Sequence, residues 1–308
     1  MTLLFCSSSD NADVWRAEIT KHLPDLEMRV WPDIGDVADI DMALVWKPPA
    51  GLLASLPNLR LIVSLGAGVE PLLEDPTLPE VPLVRMVSEG LTVDMAGYVA
   101  LQVLRWHRLV DEYGALQAAS RWQPLDHRPA SDVTVGVLGL GELGAASART
   151  LRTMDYRLLG WSRSPKSVEG VESFSGADGL AAMLPRCDLL VCLLPLTAET
   201  RGILNAELFA ALPAGAVVVN AARGGHLVEA DLLAALDRGH LRGASLDVFG
   251  TEPLPADHPF WRHPKIRITP HVAAITHPSR SAVQVADAIT AFRSGRPLAN
   301  LVDRRRGY

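Results

Sequence analysis

Val133-Thr134-Val135-Gly136-Val137-Leu138-Gly139-Leu140-Gly141-Glu142-Leu143-Gly144 is the stretch that decides the fold. An apolar β-type run leads into a glycine-spaced turn, and the turn opens a segment, residues 142–154, with helical periodicity. Glycines at this spacing say little alone. Between a strand and a helix they read as a dinucleotide-binding turn. Gly139 permits the tight turn, Gly141 lets backbone approach a pyrophosphate, and Gly144 lets the helix pack on the strand. Glu142 and Leu143 begin the helix whose N-terminus would face the phosphates.

Around this turn the pattern is regular. Strands are expected at residues 157–161, 189–194, 216–219, 243–248 and 266–268, with helices at 177–184, 206–212 and 229–238. Short apolar strands alternating with helices predict a parallel, doubly wound α/β sheet of the Rossmann type. Upstream, β-type runs at 3–5, 42–46, 61–65 and 83–86 alternate with helical or Pro/Gly-rich segments at 13–22 and 50–57. They predict a smaller, flavodoxin-like α/β domain. Residues 92–119 hold helical periodicity without proline and are expected as one helix leading into the larger domain. Residues 279–294 are expected to form a helix that returns to the first domain. The expected organisation is a discontinuous substrate domain, 1–90 with 275–308, and a cofactor domain, 91–274.

Size and composition agree. A chain of 308 residues exceeds what one small core organises. At 48% apolar and 21% charged, neither disorder nor a fibrous repeat is favoured. A net charge of -6 with mixed signs leaves no footprint for nucleic acid or an anionic membrane. The longest apolar run, residues 189–196, contains Pro195 and falls far short of the roughly 20 residues of a membrane helix. The N-terminus lacks a basic leader, so a soluble, cytoplasmic protein is expected. Cys6, Cys187 and Cys192 have no metal-type spacing and are expected as reduced core thiols. No metal site is expected.

The second strand of the cofactor domain ends in Trp161-Ser162-Arg163-Ser164-Pro165-Lys166. A site built for NAD places a carboxylate there to hold the ribose hydroxyls. Here Arg163 offers a planar fork to a 2′-phosphate, with Ser162, Ser164 and Lys166 as supporting donors. NADP(H) is therefore the expected cofactor, with NAD(H) a weaker possibility.

Three further segments put reactive side chains at expected strand ends, where doubly wound sheets bind ligands. They are Asn220-Ala221-Ala222-Arg223-Gly224-Gly225, Asp247-Val248-Phe249-Gly250-Thr251-Glu252-Pro253-Leu254 and Thr269-Pro270-His271-Val272-Ala273-Ala274. Together they resemble the D-isomer-specific 2-hydroxyacid dehydrogenase family over essentially the whole chain. The resemblance implies that Arg223, Glu252 and His271 form the active site, and that Ala221, Asp247, Leu194, Pro195 and Thr200 contact cofactor. Asp247 would hold the nicotinamide carboxamide. The chemistry agrees with these roles. Arg223 can bind and polarise the oxygens of a 2-oxo acid, His271 can give a proton to the nascent alkoxide, and Glu252 would orient His271 and stabilise its protonated form. Formate dehydrogenases carry glutamine at the Glu252 position, which argues against formate.

Two stretches of the first domain, Val63-Ser64-Leu65-Gly66-Ala67-Gly68-Val69-Glu70 and Leu44-Val45-Trp46-Lys47-Pro48-Pro49, resemble the glyoxylate/hydroxypyruvate reductase A subgroup. Gly66, Ala67 and Gly68 would present backbone N–H groups to a substrate carboxylate, and Trp46 would wall a small pocket. His277 stands where the subgroup carries a basic side chain. The resemblance implies reduction of glyoxylate and hydroxypyruvate by a homodimer. Two other readings stand beside it: a dehydrogenase for larger oxo acids such as phenylpyruvate, and a non-catalytic dinucleotide-sensing protein.

Overall fold

The structure, a computed structural model, describes residues 1–307. Contacts divide the chain into two units, Met1–Leu91 with the chain from Ile275 onward, and Thr92–Ala274.

The first unit carries five strands: β1 (Thr2–Cys6), β2 (Glu27–Val30), β3 (Ile40–Val45), β4 (Leu61–Ser64) and β5 (Leu83–Val84). They pair in parallel in the order β2-β1-β3-β4-β5. Helices α1 (Ala12–Thr20) and α2 (Glu70–Leu73) belong to this unit. Asn11 caps α1, its side-chain oxygen accepting from the N–H groups of Asp13 and Val14. Leu4, Cys6, Ala43, Val45 and Ile62 bury one face of the sheet.

Helix α3 (Glu89–His107) contains the boundary, and α4 (Val110–Ala118) follows it. The single helix expected over 92–119 is thus two. Leu109 takes the left-handed conformation, with φ 57°, and no proline or glycine lies between residues 98 and 113. Polar partners across the break fit the turn: Arg105 Nε and Nη2 reach the Asp111 carboxylate at 2.6–3.1 Å, and Arg267 Nε reaches it at 2.9 Å.

The second unit holds β6 (Thr134–Leu138), α5 (Glu142–Arg152), β7 (Arg157–Ser162), β8 (Glu172–Ser175), α6 (Gly176–Met183), β9 (Leu189–Cys192), α7 (Ala206–Ala211), β10 (Ala216–Asn220), α8 (Glu229–Asp237), β11 (Leu241–Leu246) and β12 (Ile266–Ile268). All strands run parallel in the order β12-β11-β10-β9-β6-β7-β8. Alternate residues feed two cores. Leu138, Leu190 and Val218 pack on one face, while Val135, Val191, Val217 and Val219 pack on the other. Burial on both faces is why these strands read as near-continuous apolar runs. Helix α9 (Pro278–Arg293) returns to the first unit and packs on α1.

One register line positions everything that follows. Trp161, Leu138, Cys192, Asn220, Leu246 and Ile268 lie side by side across six neighbouring strands. Every candidate residue of this unit lies within about six positions beyond that line, apart from Thr200, which sits farther along its loop. The line ends at the carboxyl edge, where ligands bind in parallel sheets.

Candidate active site

Beyond Leu138, Gly139 adopts φ 101°, and a Cβ on it would lie 2.7 Å from Leu193 O. A Cβ on Gly144 would overlap Gly139 O at 1.8 Å, so helix α5 sits directly on the turn. Gly141 is the N-cap of α5, and no side chain caps the helix there. A Cβ on Gly141 would meet nothing within 4 Å. Uncapped N–H groups at the positive end of an 11-residue helix, with open space beside them, suit a pyrophosphate.

Strand β7 ends at the buried Ser162, and Arg163, Ser164 and Lys166 follow it exposed. Ser162 Oγ donates to Ser164 O at 2.7 Å and shapes the turn. Lys166 Nζ donates to Leu140 O at 3.2 Å, bringing a cation over the glycine turn. No carboxylate occupies residues 161–166, so the donors present fit a 2′-phosphate.

The loop after β9 is closed internally. Thr200 Oγ1 donates to Pro195 O at 2.7 Å and accepts from Thr197 N at 2.9 Å. Leu194 is 7% exposed, at the base of this loop.

Beyond β10, Ala221 and Ala222 are buried and Arg223 is partly exposed. Its guanidinium folds back, Nη1 donating to Ala222 O at 2.6 Å. Its carbonyl accepts from Asn220 Nδ2 at 3.0 Å and from the backbone N–H of His226 at 3.2 Å. Asn220 is fully buried and also accepts from Ala222 N at 3.2 Å through Oδ1. The sequence reading did not single out Asn220 for a role, yet it holds the arginine turn in shape.

The structure brings Glu252 and His271 together. Glu252 Oε2 lies 2.8 Å from His271 Nδ1, and Glu252 Oε1 accepts from Phe249 N at 3.1 Å. Side-chain exposures of 32% and 25% leave the pair half-buried and reachable. A carboxylate only accepts, so Nδ1 carries hydrogen and Nε2 is the ring atom that can exchange a proton. His271 sits at φ 57°, a left-handed backbone for a residue with a side chain. Its N–H donates to Asp247 O at 2.8 Å, and the neighbouring donors hold the segment there. Asp247, 1% exposed, accepts from Val272 N at 2.9 Å and Thr269 Oγ1 at 2.6 Å through Oδ1, and from Ala273 N at 2.8 Å through Oδ2. Thr269 spends its hydroxyl hydrogen on Asp247, so Tyr98 Oη, 2.8 Å away, is the donor to Thr269. Burial pushes the Tyr98 phenol up to about 12 and keeps that hydrogen in place. Asp247 therefore organises the His271 segment, and Tyr98 and Thr269 support it.

A profile of the D-isomer specific 2-hydroxyacid dehydrogenase NAD binding domain matches residues 100–273. The chain belongs to this dehydrogenase family. Among members of the family, the chain is 46% identical to glyoxylate/hydroxypyruvate reductase A of Serratia proteamaculans, with both proteins covered completely. It is 42% identical to a D-isomer specific 2-hydroxyacid dehydrogenase of Xanthobacter autotrophicus, solved with NADPH and MES, at TM-score 0.96 over 100% of this chain and 99% of the other. It is also 42% identical to an NADPH-dependent glyoxylate/hydroxypyruvate reductase of Sinorhizobium meliloti, solved with NADP and sulfate, at TM-score 0.95 over 100% of both chains.

In the first unit of this dehydrogenase, Trp46 follows β3, and its ring fills the space where Gly66 lacks a side chain. A Cβ on Gly66 would lie 2.2 Å from Trp46 Cζ3. Gly66 N donates to Ser64 Oγ at 3.2 Å, so the turn's own serine takes one of the three N–H groups expected to meet an anion. Lys47 Nζ lies 5.7 Å from the centre of the Trp46 ring.

Cys6, Cys187 and Cys192 are free and buried. Burial pushes the thiols of Cys187 and Cys192 up to about 12, far above the pH at which thiolates form in water. Iodoacetamide at mildly alkaline pH is expected to leave both unmodified in the folded protein and to alkylate both in denaturant. Mass spectrometry checks this, and rapid labelling of the native chain would contradict it. Among the described residues, no helix is long and apolar enough to cross a membrane.

Proposed function

We propose that this chain reduces small 2-oxo acids with NADPH, glyoxylate to glycolate and hydroxypyruvate to D-glycerate. The observation that carries the reading is the His271–Glu252 pair at 2.8 Å, on the same carboxyl edge as Arg223. The relatives named above support the substrate class and the cofactor. The cofactor would lie along the Gly139–Gly144 turn, with Arg163, Ser164 and Lys166 at its 2′-phosphate and Leu194, Pro195, Thr200, Ala221 and Asp247 along its length. When bound, NADPH supplies the hydride that C2 of the oxo acid accepts. Arg223 binds the oxygens of the oxo acid and polarises the carbonyl. His271 Nε2 gives its proton to the oxygen that becomes the hydroxyl, and Glu252 steadies the ring through Nδ1. The N–H groups of Ala67 and Gly68, with Trp46, are proposed as substrate contacts.

Initial rates of NADPH and NADH oxidation with glyoxylate, hydroxypyruvate, pyruvate and phenylpyruvate test this reading. Turnover confined to the small acids and faster with NADPH supports it. Preference for phenylpyruvate would mean a larger pocket, and NADPH binding without any turnover would favour a sensing role. Arg163→Ala is expected to raise KM for NADPH by about tenfold or more, since one charge-assisted hydrogen bond is worth about 1.5–3 kcal/mol. KM for NADH should barely move. Equal changes in both constants would remove Arg163 from the 2′-phosphate.

A homodimer is also proposed, supported by the exposed apolar side chains Val93, Leu101, Val110, Tyr113 and Trp122 of the second unit. A cytoplasmic location fits three buried free thiols.

A further inference from the structure

His226 has no place in the reading above, and it is fully buried. It ends the short turn Gly224–His226, three residues after Arg223. Its Nδ1 lies 3.0 Å from Arg223 O, and its Nε2 lies 3.2 Å from Pro195 O. One imidazole thus touches the backbone of two loops, the arginine turn after β10 and the closed loop after β9. Both partners are carbonyl oxygens and can only accept, so the neutral ring, with one N–H, donates to one of them and the imidazolium donates to both. Each carbonyl is also held by other donors, Arg223 O by the backbone N–H of His226 at 3.2 Å among them. Asn220 Nδ2 reaches Arg223 O at 3.0 Å, and Thr200 Oγ1 reaches Pro195 O at 2.7 Å. Backbone bonds join the same two segments farther along: Gly202 N donates to Gly225 O and Leu204 N to His226 O, both at 2.9 Å. The ring is therefore the side-chain fastening nearest the reactive end of a seam that the backbone closes behind it.

We propose that His226 is a positioning residue that fixes Arg223 and the Pro195 loop relative to each other, and so couples binding of the oxo acid to binding of the dinucleotide. The inference rests on the assignment of Arg223 to the oxo acid and of Pro195 to the cofactor. A ring that touches neither ligand then affects both. A covalent frame this short also makes the two contacts separable. The side-chain amide nitrogen of asparagine falls near the place of Nδ1, and that of glutamine near the place of Nε2.

The test uses the full-length protein and three variants, His226→Leu, His226→Asn and His226→Gln. Calorimetry measures the dissociation constant for NADPH and, on the NADPH-saturated protein, that for oxalate as a stand-in for a 2-oxo acid. His226→Leu is expected to weaken each by about tenfold, the size of one lost hydrogen bond of about 1.4 kcal/mol. His226→Asn should restore oxalate binding and leave NADPH weak, and His226→Gln should do the reverse. Unchanged constants in His226→Leu would overturn the proposal. So would constants that move together in all three variants in step with a lowered melting temperature, since a merely structural residue gives that result. If His226→Leu fails to fold, the opposite responses of the asparagine and glutamine variants decide alone. Turnover of glyoxylate by the unaltered protein is measured alongside. Its absence with the binding split present would sink the reductase reading and keep the positioning role. Turnover without the split would do the opposite.

Discussion

His271→Ala is expected to lower kcat for glyoxylate by about 10²–10⁴, the usual worth of a positioned proton donor, with NADPH binding essentially unchanged. The alkoxide left by hydride addition is strongly basic and needs a proton as it forms. In the proposed reaction His271 gives one through Nε2, since Glu252 lies 2.8 Å from Nδ1. Glu252 is itself held by Phe249 N at 3.1 Å, so the pair does not have to be assembled when substrate arrives. Glu252→Gln keeps the length and an acceptor oxygen but removes the charge beside the ring. It should reduce kcat less than the loss of the histidine does. Stopped-flow single turnovers separate the chemical step from cofactor release. A loss under tenfold in His271→Ala would take the proton-donor role away from this residue.

Arg223→Lys is expected to cost about 10²–10³ in kcat/KM for the oxo acid, although charge is conserved. A lysine ammonium is a point donor on a flexible stem, and it cannot fold back onto Ala222 O while presenting a planar face to substrate. Arg223 meets Ala222 O through Nη1 at 2.6 Å as part of one rigid, planar group. The carbonyl of Arg223 is pinned from Asn220 and His226, so the backbone will not shift to help the shorter reach. Steady-state kinetics with glyoxylate check this, and a lysine variant of near-native efficiency would show that charge alone suffices.

Much of the larger sheet was legible because its central strands are buried on both faces and leave continuous apolar runs such as Val217-Val218-Val219. The edges were not. Glu27–Val30 and Glu172–Ser175 are short outer strands of the two sheets; the first alternates polar and apolar over only four residues, and the second has one apolar side chain. Their pairing is dictated by the neighbouring strand rather than by their own composition. The break at Leu109 was equally silent, and one of the partners that meet Asp111 beside it, Arg267, lies 156 residues away in the chain. At the candidate site, Arg223, Glu252 and His271 stood out through residue type and strand-end placement. Asn220, His226, Thr269 and Tyr98 did not, because a supporting residue is defined by what it holds, and that is visible only in three dimensions. The one hint was a histidine three positions after the arginine in a glycine-rich turn.

The left-handed backbone at His271 narrows which residues evolution can offer at that position. Such a backbone costs most side chains of order 1–2 kcal/mol, and histidine, asparagine and aspartate are among those that tolerate it best. The fold thus screens candidates for shape before chemistry screens them for acidity, and β-branched side chains fail at the first screen. Few residue types pass both, and if His271 has the proposed role, a lineage that loses it by drift has few intermediate sequences through which to recover a proton donor at the same place.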